Sequence, residues 1–317
     1  MWLAAVRHPV RGSGERVTML NRRNSLIGPL AVLCVLGACA PGQAQTRLEW
    51  KLKEGDRFYI ETVNTLKGSS KKAGQEYKSD MEIVMVDLYK VARRDASGVV
   101  LEKTIVSRKF KSASGELDKL AESLGKKLQG NVLTVQLDPT WQKVMKIGGI
   151  KDYVKLFSAD EKTEGEHEET IKEEQQIIFA GFLPDKAVEP GQRWQRKSSH
   201  ESHKPTANYT AVEDYIYRGK EAVADRDADH IDAAWTVTFV PPKLEGVEVK
   251  QDLKADPAKA RYFFDSGAGR LVKSERSFHV KGKWTLIYQG KEIVTEVDQD
   301  ENWRIRLTDE NPLGREK

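Results

Sequence analysis

From Arg47 onward, apolar and polar residues alternate over most of the chain, the period-two signature of strands with one face buried. Leu48, Trp50 and Leu52 in residues 47–53, a turn at Glu54-Gly55, and Phe58, Ile60 and Val63 beyond it predict two short antiparallel strands. Residues 81–91 put Met81, Ile83, Met85, Asp87, Tyr89 and Val91 on one face, with Val84, Val86 and Leu88 on the other. The middle of that strand is therefore expected to be covered on both sides. Residues 99–110 form another long strand, and 132–137 with 144–147 form a hairpin around Asp138-Pro139.

Three segments change period. Leu117, Leu120, Ala121, Leu124 and Leu128 fall on one helical stripe, and Gly130-Asn131 stands where a helix stops. Helices are predicted at about 114–129, 149–157 and 166–181. Beyond Trp194 the pattern is almost all strand, at 209–217, 220–224, 233–239, 262–264, 271–280, 283–288 and 293–307. A longer loop is read between Pro241-Pro242 and Asp256-Pro257. The expected fold is mainly β, with large antiparallel sheets from two related halves and two or three helices covering or linking them.

The two halves are suggested by repeated anchors. Gly55-Asp56-Arg57-Phe58 and Gly191-Gln192-Arg193-Trp194 each set a turn glycine, a polar residue, an arginine and an aromatic before a strand. Asp138 to Lys146 lies on Asp265 to Lys273 without a gap, with Asp, basic, aliphatic and Lys coinciding. The organisation expected is a leader at 1–44, a first β half with helix at 45–158, a charged helical linker at 159–190 and a second β half at 191–317. As related layers, the halves would hold any cavity between them.

The same residues carry a family likeness. The ordered set Leu52-Lys53-Glu54-Gly55-Asp56, Val135-Gln136-Leu137-Asp138, Leu183-Pro184, Val188-Glu189-Pro190-Gly191-Gln192-Arg193-Trp194 and Phe264-Asp265 to Gly269-Arg270-Leu271 resembles a family of exported, β-rich bacterial cell-envelope proteins catalogued as a domain of unknown function. The likeness spans nearly all of residues 46–307. It implies fold and export and carries no chemistry. Trp141 departs from it, because that family more usually places glycine after the Asp turn.

Composition matters chiefly through the leader. Arg22-Arg23, an apolar run from Leu26 to Leu36 and small residues beyond form the three parts of a secretory signal. Two exits compete: a lipobox, Leu36-Gly37-Ala38-Cys39, in which Cys39 would be lipidated and tether the chain to a membrane, and a small-x-small site, Gly42-Gln43-Ala44. The expected location is the periplasm, free or tethered. The chain's net charge is +4, but the leader holds five arginines against one glutamate, leaving 47 basic and 47 acidic side chains in the remainder. A nucleic-acid role then loses its electrostatic basis. Both cysteines, Cys34 and Cys39, lie in the leader, so a chain cut before Gln45 has no thiol and no disulfide.

Searches for chemistry find little. The nucleophile elbow, phosphate loop, metalloprotease helix and paired Cys-x-x-Cys are absent from the sequence, and no cofactor is expected. His200 and His203 are the candidate metal pair, although residues three apart on a strand face opposite ways. Glu213-Asp214 and Asp298 with Asp300 are acidic pairs that an envelope hydrolase would need to set across a cleft. Trp194, Tyr215, Trp235, Tyr262 and Trp284 suggest an apolar ligand surface as readily as a filled core. The expectation is an exported, non-catalytic binding or structural protein, with a carrier of lipid or another apolar small molecule as the specific alternative and a hydrolase as the competing class. No partner protein is specified.

Overall fold

The computed structural model describes residues 45–72, 74–112, 115–156, 162–200, 208–223, 226–244 and 246–315. The leader and Cys39 lie outside the described residues. Twelve strands form one antiparallel sheet. They are β1 (Arg57–Lys72), β2 (Gln75–Asp95), β3 (Gly98–Ser112), β4 (Val132–Leu137), β5 (Val144–Gly148), β6 (Arg193–His200), β7 (Tyr209–Val223), β8 (Arg226–Phe239), β9 (Glu248–Ala255), β10 (Ala258–Asp265), β11 (Arg270–Tyr288) and β12 (Lys291–Thr308). The order is β5-β4-β3-β2-β1-β12-β11-β10-β8-β7-β6, with β9 pairing the far part of β11. The helices are α1 (Gly115–Leu128), α2 (Ile150–Lys155) and α3 (Lys162–Phe179).

Several expectations need correction. There is one continuous sheet rather than stacked layers, because β1 pairs β12 along most of its length and joins β1–β5 edge to edge with the strands that follow the helices. Residues 47–53 form no strand: they make an extended strap, bridged at Thr46 to Val188, that carries Leu48, Trp50 and Leu52 into the core. Strand β9 occupies the stretch read as a loop, its burial alternating residue by residue against β11. Strands β7 and β11 run on through Gly219 and Gly282, which were read as breaks. Gly219 sits at a bulge with φ 98°. A Cβ on Gly282 would lie 2.1 Å from the Asp252 carbonyl oxygen, so glycine there permits close strand approach rather than ending the strand.

The sheet is tightly rolled, and one tryptophan demonstrates it. Trp141, in the β4–β5 turn, stacks on Trp50 with centroids 5.3 Å apart, and Trp50 meets Phe264 of β10 edge-on at 5.4 Å. Six strand spacings separate β4 from β10, about 29 Å along a flat sheet. The two wings must therefore curl toward each other around Trp50. Its indole N–H donates to the Phe179 carbonyl at 2.9 Å, fixing the strap to the end of α3. Phe179 and Phe182 complete the plug, with Phe182 stacked on Tyr262 at 4.6 Å.

The repeated anchors occupy matching corners. Gly55 donates to the Val91 carbonyl while Val91 donates to Asp56; Gly191 donates to the Tyr217 carbonyl while Tyr217 donates to Gln192. Each glycine has φ near 90° (91° and 90°), and a bulge follows each partner, between Val91 and Arg93 and between Tyr217 and Gly219. Asp138 and Asp265 head the β4–β5 and β10–β11 turns. Trp141 takes φ 59° in the first turn, a left-handed backbone that ordinarily favours glycine.

Candidate functional site

Cross-strand register sorts the side chains into two faces, since directly paired residues point the same way. One inner row runs Trp194, Tyr215, Ala233, Ala260, Arg276, Trp303, Asn64, Ile83 and Phe110 across nine neighbouring strands. The next row toward the β1–β2 tip holds Trp235, Phe278, Leu66 and Met81. Nearer the plug, Tyr217, Tyr262, Ile305 and Thr62 are buried. On the tip side, Ile83, Phe110, Phe278, Leu66, Met81 and Trp303 are all half-buried. The inner face is thus filled at one end and left as a partly open apolar trough at the other.

Four of the five aromatic candidates meet there. Trp194 stacks on Tyr215 at 5.4 Å and Tyr215 reaches Tyr262 at 6.4 Å. Trp235 lies under the Arg276 guanidinium, whose carbon sits 4.7 Å from the ring centroid. Tyr215, Trp235 and Tyr262 are buried, so these rings form wall and core as much as surface. Trp284 shares the inner face but stands eight residues farther along β11, about 27 Å away at strand rise. The structure does not bring it to the other four.

Polar groups punctuate this wall. Glu213 accepts hydrogen bonds from the Tyr215 hydroxyl and from Ser198 Oγ, and Glu301 accepts from Asn64 at 3.0 Å and Trp303 Nε1 at 2.8 Å. Burial pushes the Tyr209 phenol up to about 12 and raises Tyr215 and Tyr262 as well, so all three remain neutral hydroxyls. Burial also works against the Arg276 cation, but Tyr262, Glu213, Tyr215 and Tyr209 around it hold its pKa above the usual guanidinium value.

A second feature was not foreseen. On the opposite wing, Asp87 receives Lys103 Nζ at 3.2 Å and Arg108 Nη2 at 2.6 Å, with Asp87 and Lys103 5% and 3% exposed. Arg108 also donates to the Ser107 carbonyl at 2.8 Å. Helix α3 closes over this set. Gln175 accepts from Tyr89 Oη at 2.8 Å, and Glu174 faces Lys103, Arg108 and Asp87. The hint in the sequence was Asp87 itself, a charge on a face otherwise made of Ile83, Met85 and Tyr89. The set is internally compensated, two cations against two carboxylates. Its direct contacts are structural ones that hold α3 to β2 and β3, and cavities of about 440 and 710 Å³ lie elsewhere, over β1, β9, β11 and β12 and across β6 to β12. The larger is lined mainly by outward-facing residues, including Arg193, Asp214, Arg218, Lys259, Arg261 and Arg304, and so opens on the outer face.

Desolvation raises the Glu174 pKa, although Lys103 and Arg108 pull it down. A carboxyl whose folded pKa lies above its unfolded 4.5 favours folding fully below that value and loses the contribution as pH rises through the folded pKa. Glu174→Gln is therefore expected to raise the melting temperature at pH 8, with the gain fading toward pH 4.5. Melting curves of both proteins across that range check this; a variant less stable at pH 8 would contradict it.

The remaining candidates are not assembled into a site. His200 closes β6, and its candidate partner His203 lies outside the described residues. Among the described residues no group of three or more His, Cys, Asp and Glu is placed to hold a metal. Glu213 and Asp214 point to opposite faces of β7. Asp298 and Asp300 flank His279 at 3.7 and 2.9 Å, and His230 sits between Glu221 and Asp232 while stacking on Phe263.

Comparison with known proteins adds no identity. No protein-family model and no curated protein matches the chain, so the family likeness rests on the motifs quoted above. Among solved structures, lipovitellin, from a study of its lipid–protein interactions, is similar at 8% identity and TM-score 0.43, covering 81% of this chain and 25% of its own. The chain thus spans about a quarter of that protein. A protein described as exported, with a YmcC-like fold, from Bacteroides fragilis matches at 7% identity and TM-score 0.23 over 81% of this chain and 97% of its own. An outer membrane channel from Pseudomonas putida matches at 11% and 0.20 over 84% and 98%. Among the described residues no helix is long and apolar enough to cross a membrane.

Proposed function

We propose that this is an exported, non-catalytic binding protein of the bacterial cell envelope that carries an apolar, acyl-chain-like ligand on the inner face of its rolled sheet. The observation that carries the reading is the half-buried trough of Ile83, Phe110, Phe278, Leu66, Met81 and Trp303 beyond the aromatic plug. A sheet that curls this tightly could have closed on a filled core throughout; leaving apolar side chains partly wet on a concave wall costs about 25 cal/mol per Å², which a bound chain would recover. The leader read at residues 1–44 supports export, and lipidation at Cys39 would tether the carrier to a membrane. The matching corners at Gly55 and Gly191 support an origin by duplication, with the trough spread over both repeats.

Displacement of the neutral fluorophore N-phenyl-1-naphthylamine tests the reading. The mature protein is expected to enhance its emission, and palmitate-length amphiphiles to reverse it. Ile83→Asp and Phe278→Asp place a charge in the trough and should each weaken probe binding roughly tenfold or more. Absence of probe binding by the folded protein, or unchanged binding in both folded variants, would contradict the proposal.

A further inference from the structure

Arg276 is the odd member of the inner face. Lys103, Arg108 and Arg196, which point to the same side, each hold a carboxylate within 3.2 Å. Arg276 makes no ion pair and no hydrogen bond with any described residue; its guanidinium lies over the Trp235 ring. The carboxylates that could have paired with it are engaged elsewhere, Glu213 by Tyr215 and Ser198 and Glu301 by Asn64 and Trp303. A guanidinium offers five N–H donors in a planar fork, and stacking on indole uses none of them.

A second unpartnered donor lies beside it. Tyr262 pairs with Ser274 across the β10–β11 ladder, which makes Arg276, two residues on, its diagonal neighbour at roughly 7–8 Å between backbones. Its ring is clamped flat against Phe182, and the residue is 4% exposed, yet its hydroxyl has no hydrogen-bond partner among the described residues. Arg276 is half-buried, so its free donors stay open to an incoming group while no acceptor among the described residues competes for them. Ala233 and Ala260, in the same inner row as Arg276, carry no polar group that could engage the fork.

We infer that Arg276 and Tyr262 form a head-group site, so that the ligand is an amphiphile with an anionic oxygen head, its chain lying along the trough toward Phe278, Leu66 and Ile83. This rests on the carrier reading above and deepens it. A carboxylate or phosphate oxygen pair matches the guanidinium fork in a bidentate, charge-assisted hydrogen bond, and the Tyr262 hydroxyl supplies a further donor from the side. Trp235 fixes the plane of the fork before the ligand arrives.

The test uses the mature protein and three competitors of one chain length: palmitate, palmitoyl lysophosphatidylglycerol and the neutral methyl palmitate. The anionic pair separates a fatty-acid source from a phospholipid source. At least one of them should bind roughly tenfold or more tighter than the methyl ester. Arg276→Met should erase that preference, bringing the anions down to the affinity of the methyl ester in the same variant, and Tyr262→Phe should reduce it several-fold. Arg276→Lys, which keeps the charge without the fork, should retain part of the preference and guards against a methionine variant that fails to fold. If the neutral ester binds as tightly as both anions and Arg276→Lys and Tyr262→Phe change nothing, the head-group site is wrong and the carrier stands. If none of the three competitors binds, the carrier reading itself falls, and this inference with it.

Discussion

Asp87→Ala is expected to destabilise the protein by about 3–5 kcal/mol, because it leaves the Lys103 and Arg108 cations with only Glu174, itself pushed toward its neutral form by burial, to offset them. Lys103 Nζ and the Arg108 guanidinium both converge on the Asp87 carboxylate, at 3.2 and 2.6 Å, in a site that water hardly reaches. The loss would propagate to α3, whose Glu174 and Gln175 rest on the same cluster, so helical protection from hydrogen exchange should fall before that of the sheet. Removing the cluster's charge more evenly, in Asp87→Asn with Lys103→Met, should cost less than Asp87→Ala alone, since fewer unpaired charges remain buried. Urea unfolding midpoints measure both. If the alanine variant lost less than 1 kcal/mol, the cluster would have to be solvated and α3 held by other contacts.

Trp50→Ala is the second large effect, also about 3–5 kcal/mol, from the cavity left by a fully buried indole. Its more telling consequence is spatial. Trp50 touches Trp141 on one wing and Phe264 on the other, with Phe179 and Phe182 between. Hydrogen exchange should therefore accelerate together at the β4–β5 turn and in β10, which are six strands apart in the sheet order. Acceleration confined to the strap, with both wings unchanged, would mean that the roll is maintained by the backbone ladder without the aromatic plug.

Much of the fold was legible because alternation is a local property. The strands around Met81–Val91, Val99–Phe110 and Val132–Ile147 and the three helices follow directly from spacing, whereas which of the aromatics share a face is set by strand pairing. What failed was whatever depended on long-range partners. Residues 47–53 alternate like a strand, but no neighbour offers them a ladder, so they lie across the core as a strap. Gly219 and Gly282 look like breaks from sequence and are places where a bulge or a close backbone approach needs glycine. Strand β9 was hidden by Pro241-Pro242 and Asp256-Pro257 on either side of it, although Val249, Gln251 and Leu253 alternate with charged residues.

The candidate site divides in the same way. The pattern shows apolar alternation but did not single out the trough residues Ile83, Phe110, Phe278, Leu66, Met81 and Trp303, and Arg276 and Lys103 could not be distinguished from the many other basic residues on strands. Their roles depend on where carboxylates lie on other strands: Asp87 pairs with Lys103, and among the described residues no carboxylate pairs with Arg276. Asp87 alone gave a signal in advance, as a charge interrupting an apolar face, and it proved to be the centre of the ionic cluster.

The central claim, that the open end of the inner face holds an apolar ligand, is tested most directly by native mass spectrometry of the protein recovered gently from its native cells. The account predicts a complex heavier than the polypeptide and its own processing modifications by the mass of a single anionic amphiphile, released by organic extraction and diminished in Phe278→Asp. A bare polypeptide mass, together with no uptake of palmitate or lysophospholipid when these are supplied to the purified protein, would contradict it.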